Sequence, residues 1–72
     1  MSLISIVGSC KNEEENVAEL YKQINSIFAN SLKSHQLELI FIDNASSDNT
    51  IKIIKNICEN DKRVKLIENI KD

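Results

Sequence analysis

The chain has 72 residues, of which 42% are hydrophobic and 28% are charged, and its net charge is −2 at pH 7. This composition is typical of one small globular domain, or of a part of a larger one, and it excludes an intrinsically disordered chain. Acidic and basic residues are interspersed, so neither nucleic acid nor an anionic membrane surface is an expected partner. The two cysteines, Cys10 and Cys58, have no metal-ligand spacing, and we expect them to be reduced thiols in a cytoplasmic protein.

The first half of the chain predicts a strand, a turn and a helix. The run from Leu3 to Val7 is short, apolar and β-branched, as in a buried strand. A break follows at Gly8 to Lys11, and Asn12 and Glu15 then have the spacing of a capping box that opens a helix. Apolar residues recur every three or four positions, which predicts a helix of about five turns that ends near Leu32. The apolar stripe on this helix comprises Val17, Leu20, Tyr21, Ile24, Ile27 and Phe28.

A second apolar run ends abruptly in an acid. The run from Leu37 to Ile42 is apolar except at Glu38, which predicts a strand covered on both faces of a sheet. Small polar residues follow Asp43, and a second helix is expected to begin near Ser47. The sequence does not decide whether Ser46, Ser47 or Asp48 caps this helix, because all three are suitable residue types.

The remaining residues complete an alternation of strands and helices. Asn60 is a suitable left-handed end for the second helix, and Val64 to Ile67 predicts a third, shorter strand. The order β-α-β-α-β with short connections implies an α/β fold with a three-stranded parallel sheet, right-handed crossovers and the strand order 3-2-1. The predicted inner face of the second helix comprises Ile51, Ile54, Ile57 and Cys58.

Two polar turns are expected at one edge of this sheet. Parallel strands open at their carboxyl ends on a common edge, where ligands bind, and the turns at residues 8–12 and 43–47 both reach it. Gly8 and Ser9 allow close backbone approach, and helix N-termini favour phosphate. Asp43 offers acceptor oxygens for a ribose hydroxyl or a base N–H. The alternative, that Asp43 only caps its turn and that Asn12 to Glu15 only open a solvated helix, stays open from chemistry alone.

No catalytic or metal-binding set is predicted in this chain. Asp43 and Asp48 lack the other ligands of a calcium loop, and no glycine-rich phosphate loop occurs. Cys10 has no histidine nearby to activate it, and His35 falls in a predicted surface turn, so neither receives a role.

Three segments carry a resemblance to a known family, in the right order and at the right spacing. LISIVGSCKNEEENVAELY is similar to an opening strand, a turn and Asn-Glu-Glu before a helix, and FIDNASSDNTIKIIKNI to an apolar strand followed by Asp-Asp/Asn-x-Ser-x-Asp-x-Thr. RVKLIEN is similar to the strand that comes next. Together they resemble family 2 glycosyltransferases, which have the Rossmann-like A-type nucleotide-sugar fold. Among these, the chain looks most like bacterial enzymes akin to dolichyl- and undecaprenyl-phosphate sugar transferases.

The resemblance implies that residues 1–72 are the N-terminal, nucleotide-binding portion of an incomplete glycosyltransferase domain. It implies binding of a nucleoside diphosphate sugar and transfer of the sugar, usually with inversion, to a lipid phosphate or saccharide acceptor. By position, Glu13 and Asp43 would hold the nucleoside, Asn44 would lie beside the base or ribose, and residues 8–11 would form the floor. The implied nucleotide-sugar-binding residues are Gly8, Ser9, Lys11, Asn12, Glu13, Asp43 and Asn44. Ser46 and Asp48 would build the loop, and Thr50 would pack or cap.

The chain also departs from the pattern of the family. Proline and tyrosine are frequent there near Ser9 and Lys11, and a second aspartate is frequent where this chain has Asn44, which leaves the preferred base open. The family's metal-binding Asp-x-Asp and its catalytic base have no counterpart before Asp72. The resemblance therefore places the divalent metal, Mg²⁺ or Mn²⁺, outside this segment and implies that the chain alone performs no transfer.

Two other interpretations of the sequence stay open. One is a free-standing α/β module that self-associates or recruits a partner through its exposed sheet, without catalysis. The other is a fragment of another doubly wound protein, although the chain lacks the glycine fingerprint of dinucleotide-binding domains. The expected location is the cytoplasm, with the full-length protein either free or attached to the cytoplasmic side of a membrane.

Overall fold

A computed structural model describes residues 2–69 of the chain. The elements alternate as predicted, in the order β1 (Leu3–Cys10), α1 (Val17–Asn30), β2 (Gln36–Asn44), α2 (Thr50–Asn60) and β3 (Val64–Asn69). The three strands are parallel and lie in the order β1-β2-β3, so β2 is central. The predicted α/β fold and strand order are confirmed. Within residues 2–69, no helix has the length and apolarity that crossing a membrane requires.

The two helices cover one face of the sheet and leave the other face open. Along β2, Leu37, Leu39 and Phe41 are buried, whereas the intervening residues from Glu38 to Ile42 are only half-buried. The prediction that this strand is covered on both faces is therefore wrong within the described residues. The reason is topological: two successive right-handed crossovers that step in the same direction place both helices on the same side.

The core between the sheet and the helices is small. Its largest completely enclosed apolar side chains are Phe41 and Ile54, and each of them is 0% exposed.

Only part of the apolar stripe predicted for α1 is buried. Val17 and Phe28 are buried, and Tyr21 and Ile24 pack against the core, whereas Leu20 and Ile27 are 42% and 51% exposed. From the predicted α2 face, Ile54 is buried and Ile57 and Cys58 pack beside it.

The start of α1 lies further along the chain than predicted. Asn12 has a φ of 52°, in the left-handed region, and the helix begins only at Val17, after a turn in which the Glu13 carbonyl accepts the N–H groups of Asn16 and Val17. The predicted capping box of Asn12 and Glu15 is therefore wrong. The side chain of Asn12 cannot cap α1, because the helix begins five residues later and the Asn12 carboxamide oxygen accepts the N–H of Ser47 instead.

The end of α2 also differs from the prediction. Asn60 is the last helical residue, and Asp61 then leaves in an extended conformation, with φ −145° and ψ 107°. A left-handed stop at Asn60 is therefore wrong. The carboxylate of Asp61 accepts the N–H of Arg63 at 3.0 Å, so a side-chain turn redirects the chain where glycine or asparagine would otherwise do so.

The open face of the sheet combines apolar patches with one polar stripe. The exposed apolar residues Leu3, Val7 and Ile67 are 58%, 57% and 50% exposed. Across the middle of the face, the Ser5 hydroxyl and the Lys65 ammonium donate to Glu38 at 2.7 and 3.0 Å. The hydrogen bond from Ser5 and the bond and charge of Lys65 hold the pKa of the Glu38 carboxyl below its usual range. The charged groups Glu38 and Lys65 of this face are thus paired, while its apolar groups are not covered.

We predict that the 72-residue polypeptide, expressed by itself, self-associates through the open face. Covering exposed apolar surface is favourable by about 25 cal/mol per Å². Val7→Lys should shift the population toward monomer in light-scattering measurements. Ile27→Lys, which changes a side chain of α1 that is 51% exposed, should leave the association unchanged. A wild-type polypeptide that stays monomeric and unfolds in one cooperative transition would contradict the prediction.

A side-chain cluster ties α1 to the segment that precedes β3. The Tyr21 hydroxyl donates to Asp61 at 2.6 Å, and the Arg63 guanidinium donates to Asp61 at 2.9 and 2.6 Å and to Asn25 at 2.7 Å. The hydrogen bonds from Arg63, and then from Tyr21, outweigh the effect of burial and hold the pKa of Asp61 well below its usual range. The hydrogen bond to Asp61 raises the pKa of Tyr21.

We expect Tyr21→Phe to lower the free energy of unfolding by about 1 kcal/mol, the net contribution of one hydrogen bond.

The same cluster should make the stability of the protein depend on pH. Because the pKa of Asp61 is lower in the folded state, the stability that Asp61 contributes is complete above the unfolded value of about 3.9 and is lost as the pH falls below it. Because the pKa of Tyr21 is higher in the folded state, its stabilisation is complete below about pH 10 and is lost as the pH rises through the folded value. Denaturant titrations across pH measure the free energy of unfolding and hence both losses of stability. A loss of stability at acid pH that is equally steep in Asp61→Asn would contradict this assignment.

Candidate functional site

The β1–α1 and β2–α2 loops lie side by side at the carboxyl edge of the sheet and are hydrogen-bonded to each other. The N–H of Asn12 donates to the Ser46 hydroxyl at 2.9 Å, and the Asn12 carboxamide oxygen accepts the Ser47 N–H at 2.8 Å. One residue further along, the Glu13 N–H donates to the Thr50 hydroxyl at 2.8 Å. The expectation that the two turns meet at one edge is confirmed.

Glu14 and Asp48 exchange hydrogen bonds across the same junction. The N–H of Glu14 donates to Asp48 Oδ2 at 3.3 Å, and Glu14 Oε1 accepts the Asn49 N–H at 3.1 Å. Asp48 Oδ1 also accepts the N–H and the hydroxyl of Thr50. Burial raises the pKa of Asp48, but the hydrogen bonds from Thr50 and Glu14 outweigh it and hold the pKa below its usual range. The prediction that α2 begins near Ser47 with one of three residues as its cap is wrong, because α2 begins at Thr50 and its N-cap is Asn49. Of the three candidates, only Asp48 bonds the first residue of α2, from one position before the N-cap.

These bonds change the expectation about phosphate. The N–H groups of Asn49 and Thr50, at the start of α2, already donate to the carboxylates of Glu14 and Asp48. The first N–H groups of α1 donate to the carbonyl of Glu13. The expectation that helix N-termini offer free N–H groups to a phosphate is therefore wrong for these four positions, because loop carboxylates accept two of the N–H groups and the Glu13 carbonyl accepts the other two.

Asp43 is buried within its own turn. It is 0% exposed, its Oδ2 accepts the Ser46 N–H at 2.9 Å and its Oδ1 accepts the Ser46 hydroxyl at 2.5 Å. Ala45, between them, has a φ of 57°, in the left-handed region. This is the turn-capping arrangement that the sequence left open as an alternative. A direct contact of Asp43 with a nucleotide stays a prediction.

The other predicted site residues lie on the two faces of the sheet and in the β1–α1 loop. Ser9 and Asn44 lie on the open face, where the Asn44 carboxamide oxygen accepts a hydrogen bond from Asn69 at 3.0 Å. Gly8 lies on the covered face, and a Cβ there would be 4.0 Å from the Phe41 ring, an ordinary contact distance. Gly8 is therefore not required by packing at this position. Lys11 and Asn12 are exposed in the β1–α1 loop.

A shallow cleft beside β1 brings Ser9 and Glu13 together. It has a volume of about 280 Å³ and is lined by Ser9, Cys10, Glu13, Asn16, Val17 and Leu20. The carboxylate of Glu13 accepts a hydrogen bond from the Asn16 carboxamide at 3.1 Å. Burial, and then the charges of Asp43 and Glu13, raise the pKa of the Cys10 thiol, so the thiol is poorly suited to be a nucleophile.

No metal centre is formed by the residues that the structure describes. Between residues 2 and 69, no group of three or more histidine, cysteine, aspartate or glutamate side chains could hold a metal ion. The carboxylates of Glu14, Asp43 and Asp48 are instead engaged with N–H and hydroxyl groups of the opposite loop or of their own turn.

Two residues of the site are missed by the sequence analysis. Glu14 receives no role there, and Thr50 is expected only to pack or cap, yet each bonds the opposite loop. The available signal is weak: an acid run from Glu13 to Glu15 faces a turn rich in hydroxyl and amide groups. Such a pattern indicates hydrogen bonding only after the strand order brings the two loops together.

The chain has a clear family relationship. A sequence model of the family described as Glycosyl transferase family 2 matches residues 5–72. The match covers most of the chain, so the chain belongs to family 2 of the glycosyltransferases, whose members generally use nucleotide-sugar donors. A search of curated proteins found no match. The family named from the two loop motifs is thus confirmed, and the fold agrees with the N-terminal part of the A-type nucleotide-sugar fold.

We predict that Ala45→Gly stabilises the protein by about 0.5–1 kcal/mol, because the left-handed conformation at a φ of 57° strains a residue that carries a Cβ. Ala18→Gly provides the matched control: Ala18 is an exposed residue inside α1, where the same change should destabilise by about 1 kcal/mol. Denaturant titration of both variants measures the difference. Equal destabilisation by both substitutions would show that the conformation at position 45 carries no strain.

Proposed function

We propose that this chain forms the nucleoside-binding part of the donor site of an inverting glycosyltransferase. The enzyme would take a sugar from a nucleoside diphosphate sugar and transfer it to a lipid phosphate or a saccharide. The observation that carries the proposal is the interlocked pair of loops at the carboxyl edge of a parallel sheet, in a chain of family 2. Such an edge is where open α/β sheets bind their ligands.

The charges at this edge suit a nucleoside better than a diphosphate. The two loops carry the acids Glu13, Glu14, Glu15, Asp43 and Asp48, against a single cationic residue, Lys11. A diphosphate placed there would meet like charges, whereas ribose hydroxyls and base N–H groups are donors that carboxylates accept. We infer that the nucleoside lies here and that the diphosphate lies further from the loops.

The diphosphate then needs a cation from elsewhere in the enzyme. We propose that a divalent metal, Mg²⁺ or Mn²⁺, is held by residues outside the described part of this chain. When bound, such an ion would neutralise the charge that develops on the departing diphosphate. The role of this chain in the reaction is to bind and orient the nucleoside, and we propose that it performs no transfer without the rest of the enzyme.

We propose roles in the site for the accessible groups. Glu13 and Ser9, which border the same cleft, would accept and donate hydrogen bonds at the ribose. The carboxamide of Asn44, on the open face, would bond the base as both donor and acceptor. Gly8, Lys11 and Asn12 would form the floor beneath the nucleotide. Asp43 would act by holding its turn through Ser46.

We further propose that residues 1–72 are the N-terminal nucleotide-binding portion of the glycosyltransferase domain. The acceptor class of lipid phosphates is supported by the likeness of the loop segments to prenyl-phosphate sugar transferases. We place the enzyme in the cytoplasm or on the cytoplasmic side of a membrane, where nucleotide sugars are used and where its two cysteines would stay reduced.

Calorimetric titration of the full-length gene product tests the division between nucleoside and diphosphate. The common nucleoside diphosphates are titrated in the presence of a chelator. We expect one of them to bind, together with the nucleoside from which it derives, and we expect inorganic pyrophosphate not to bind. Asn44→Ala should weaken the nucleoside about fivefold, the equivalent of one hydrogen bond of about 1 kcal/mol. Pyrophosphate that binds without metal as tightly as the nucleoside would contradict the proposed arrangement, and a protein that binds no nucleotide at all would overturn the proposed function.

Asp43→Ala should weaken nucleotide binding by about 1–3 kcal/mol, because the charged acceptor that holds the Ser46 turn is lost. The titration is the same, with the fold of each variant checked by circular dichroism. Asp61→Asn is the matched control, since it alters a hydrogen-bonded aspartate near the amino ends of the strands and should leave the dissociation constant unchanged. A folded Asp43→Ala protein with wild-type affinity would remove Asp43 from the site.

A further inference from the structure

Thr50 is a buried polar residue between the two loops. It is 0% exposed although it is the first residue of α2, a position that is usually accessible. Only Asp43 shares complete burial with it among the polar residues that the structure describes. A buried hydroxyl is costly unless both its donor and its acceptor functions are used, so its partners are informative.

The hydroxyl of Thr50 joins Asp48 to Glu13. It donates to Asp48 Oδ1, which also accepts the Thr50 N–H at 3.0 Å. Because the proton of the hydroxyl is directed at Asp48, the oxygen is left to accept, and it accepts the Glu13 N–H at 2.8 Å. The result is a relay of hydrogen bonds that begins at the carboxylate of Asp48 and ends on the backbone of Glu13.

Glu13 is held at each of its other polar groups as well. Its carbonyl accepts two N–H groups at the start of α1, each at 2.9 Å, and its carboxylate accepts the Asn16 carboxamide at 3.1 Å. Those partners lie within four residues of Glu13, at the end of the same loop and the start of α1. The bond to Thr50 is the one that joins the Glu13 backbone itself to α2, between the bonds that Asn12 and Glu14 make to the β2–α2 loop on either side.

We propose that Thr50 is a positioning residue of the donor site, which orients Glu13 toward the nucleoside through the Asp48–Thr50–Glu13 relay. The inference rests on the proposed function, because it assumes that Glu13 contacts a nucleoside. Because Thr50 is 0% exposed, it would not touch the ligand itself. Its effect on binding passes through Glu13, and this distinguishes it from a residue that only stabilises the fold.

The test compares Thr50→Val with Thr50→Ser in the full-length gene product. Valine keeps the shape of threonine but lacks the hydroxyl, whereas serine keeps the hydroxyl. We expect Thr50→Val to raise the dissociation constant of the nucleoside diphosphate about tenfold and Thr50→Ser to stay within about twofold of wild type, with a charge-linked hydrogen bond setting this scale. Tyr21→Phe is the stability control: it removes one hydrogen bond between elements far from the site and should leave the dissociation constant unchanged.

A double-substitution cycle separates positioning from general loosening of the fold. If Thr50 acts through Glu13, Thr50→Val should change the dissociation constant by less than twofold in a Glu13→Ala background. Independent, multiplicative effects of the two substitutions would overturn the inference. So would a Thr50→Val protein with wild-type affinity, or an equal loss of affinity in Tyr21→Phe. A wild-type protein that binds no nucleoside diphosphate would instead refute the proposed function, so the two failures are distinguishable.

Discussion

Hydrogen bonds between the side chains of one loop and the backbone of the other hold the carboxyl edge of this sheet together. The chain contains one glycine and no proline, so its turns cannot depend on the residues that usually shape them. Asparagine, aspartate, serine and threonine side chains take that role by accepting backbone N–H groups. The left-handed conformations fall on Asn12 and Ala45, and each of them lies where the chain turns toward the opposite loop.

The same bonds restrict what the edge can bind. Carboxylates that accept the N–H groups of α2 leave fewer donors for an anion, and they add negative charge beside it. In the function proposed above, the site would therefore take the neutral, donor-rich part of a nucleotide sugar, and the phosphates would lie further from the loops. Buried Asp43 and Thr50 support the loops from beneath, while Ser9, Glu13 and Asn44 remain accessible to a ligand.

The positions of the two helices explain why one face of the sheet is uncovered. Both crossovers step in the same direction across the sheet, so α1 and α2 share a side and the opposite side keeps exposed valine, leucine and isoleucine. The stripe of Ser5, Glu38 and Lys65 pairs the polar groups on that face internally. Covering a face of this kind would be favourable, because apolar area would be removed from water without leaving an unpaired charge.

Periodicity and composition were sufficient to predict the five elements and their parallel order, and the loop motifs carried the resemblance to the family, since all of these depend on patterns within short stretches of chain. They were not sufficient at the helix ends: the conformation of Asn12 follows from Ser46 and Ser47, more than thirty residues away. The choice between a ligand contact and a turn cap at Asp43 likewise could not be made from its neighbours. The sequence by itself determined which segments form strands and helices and where the two polar turns must meet. Only the tertiary structure decided which acids face inward, which face of β2 is covered and that Thr50 reaches Glu13, because hydrogen bonds between distant residues leave no local pattern.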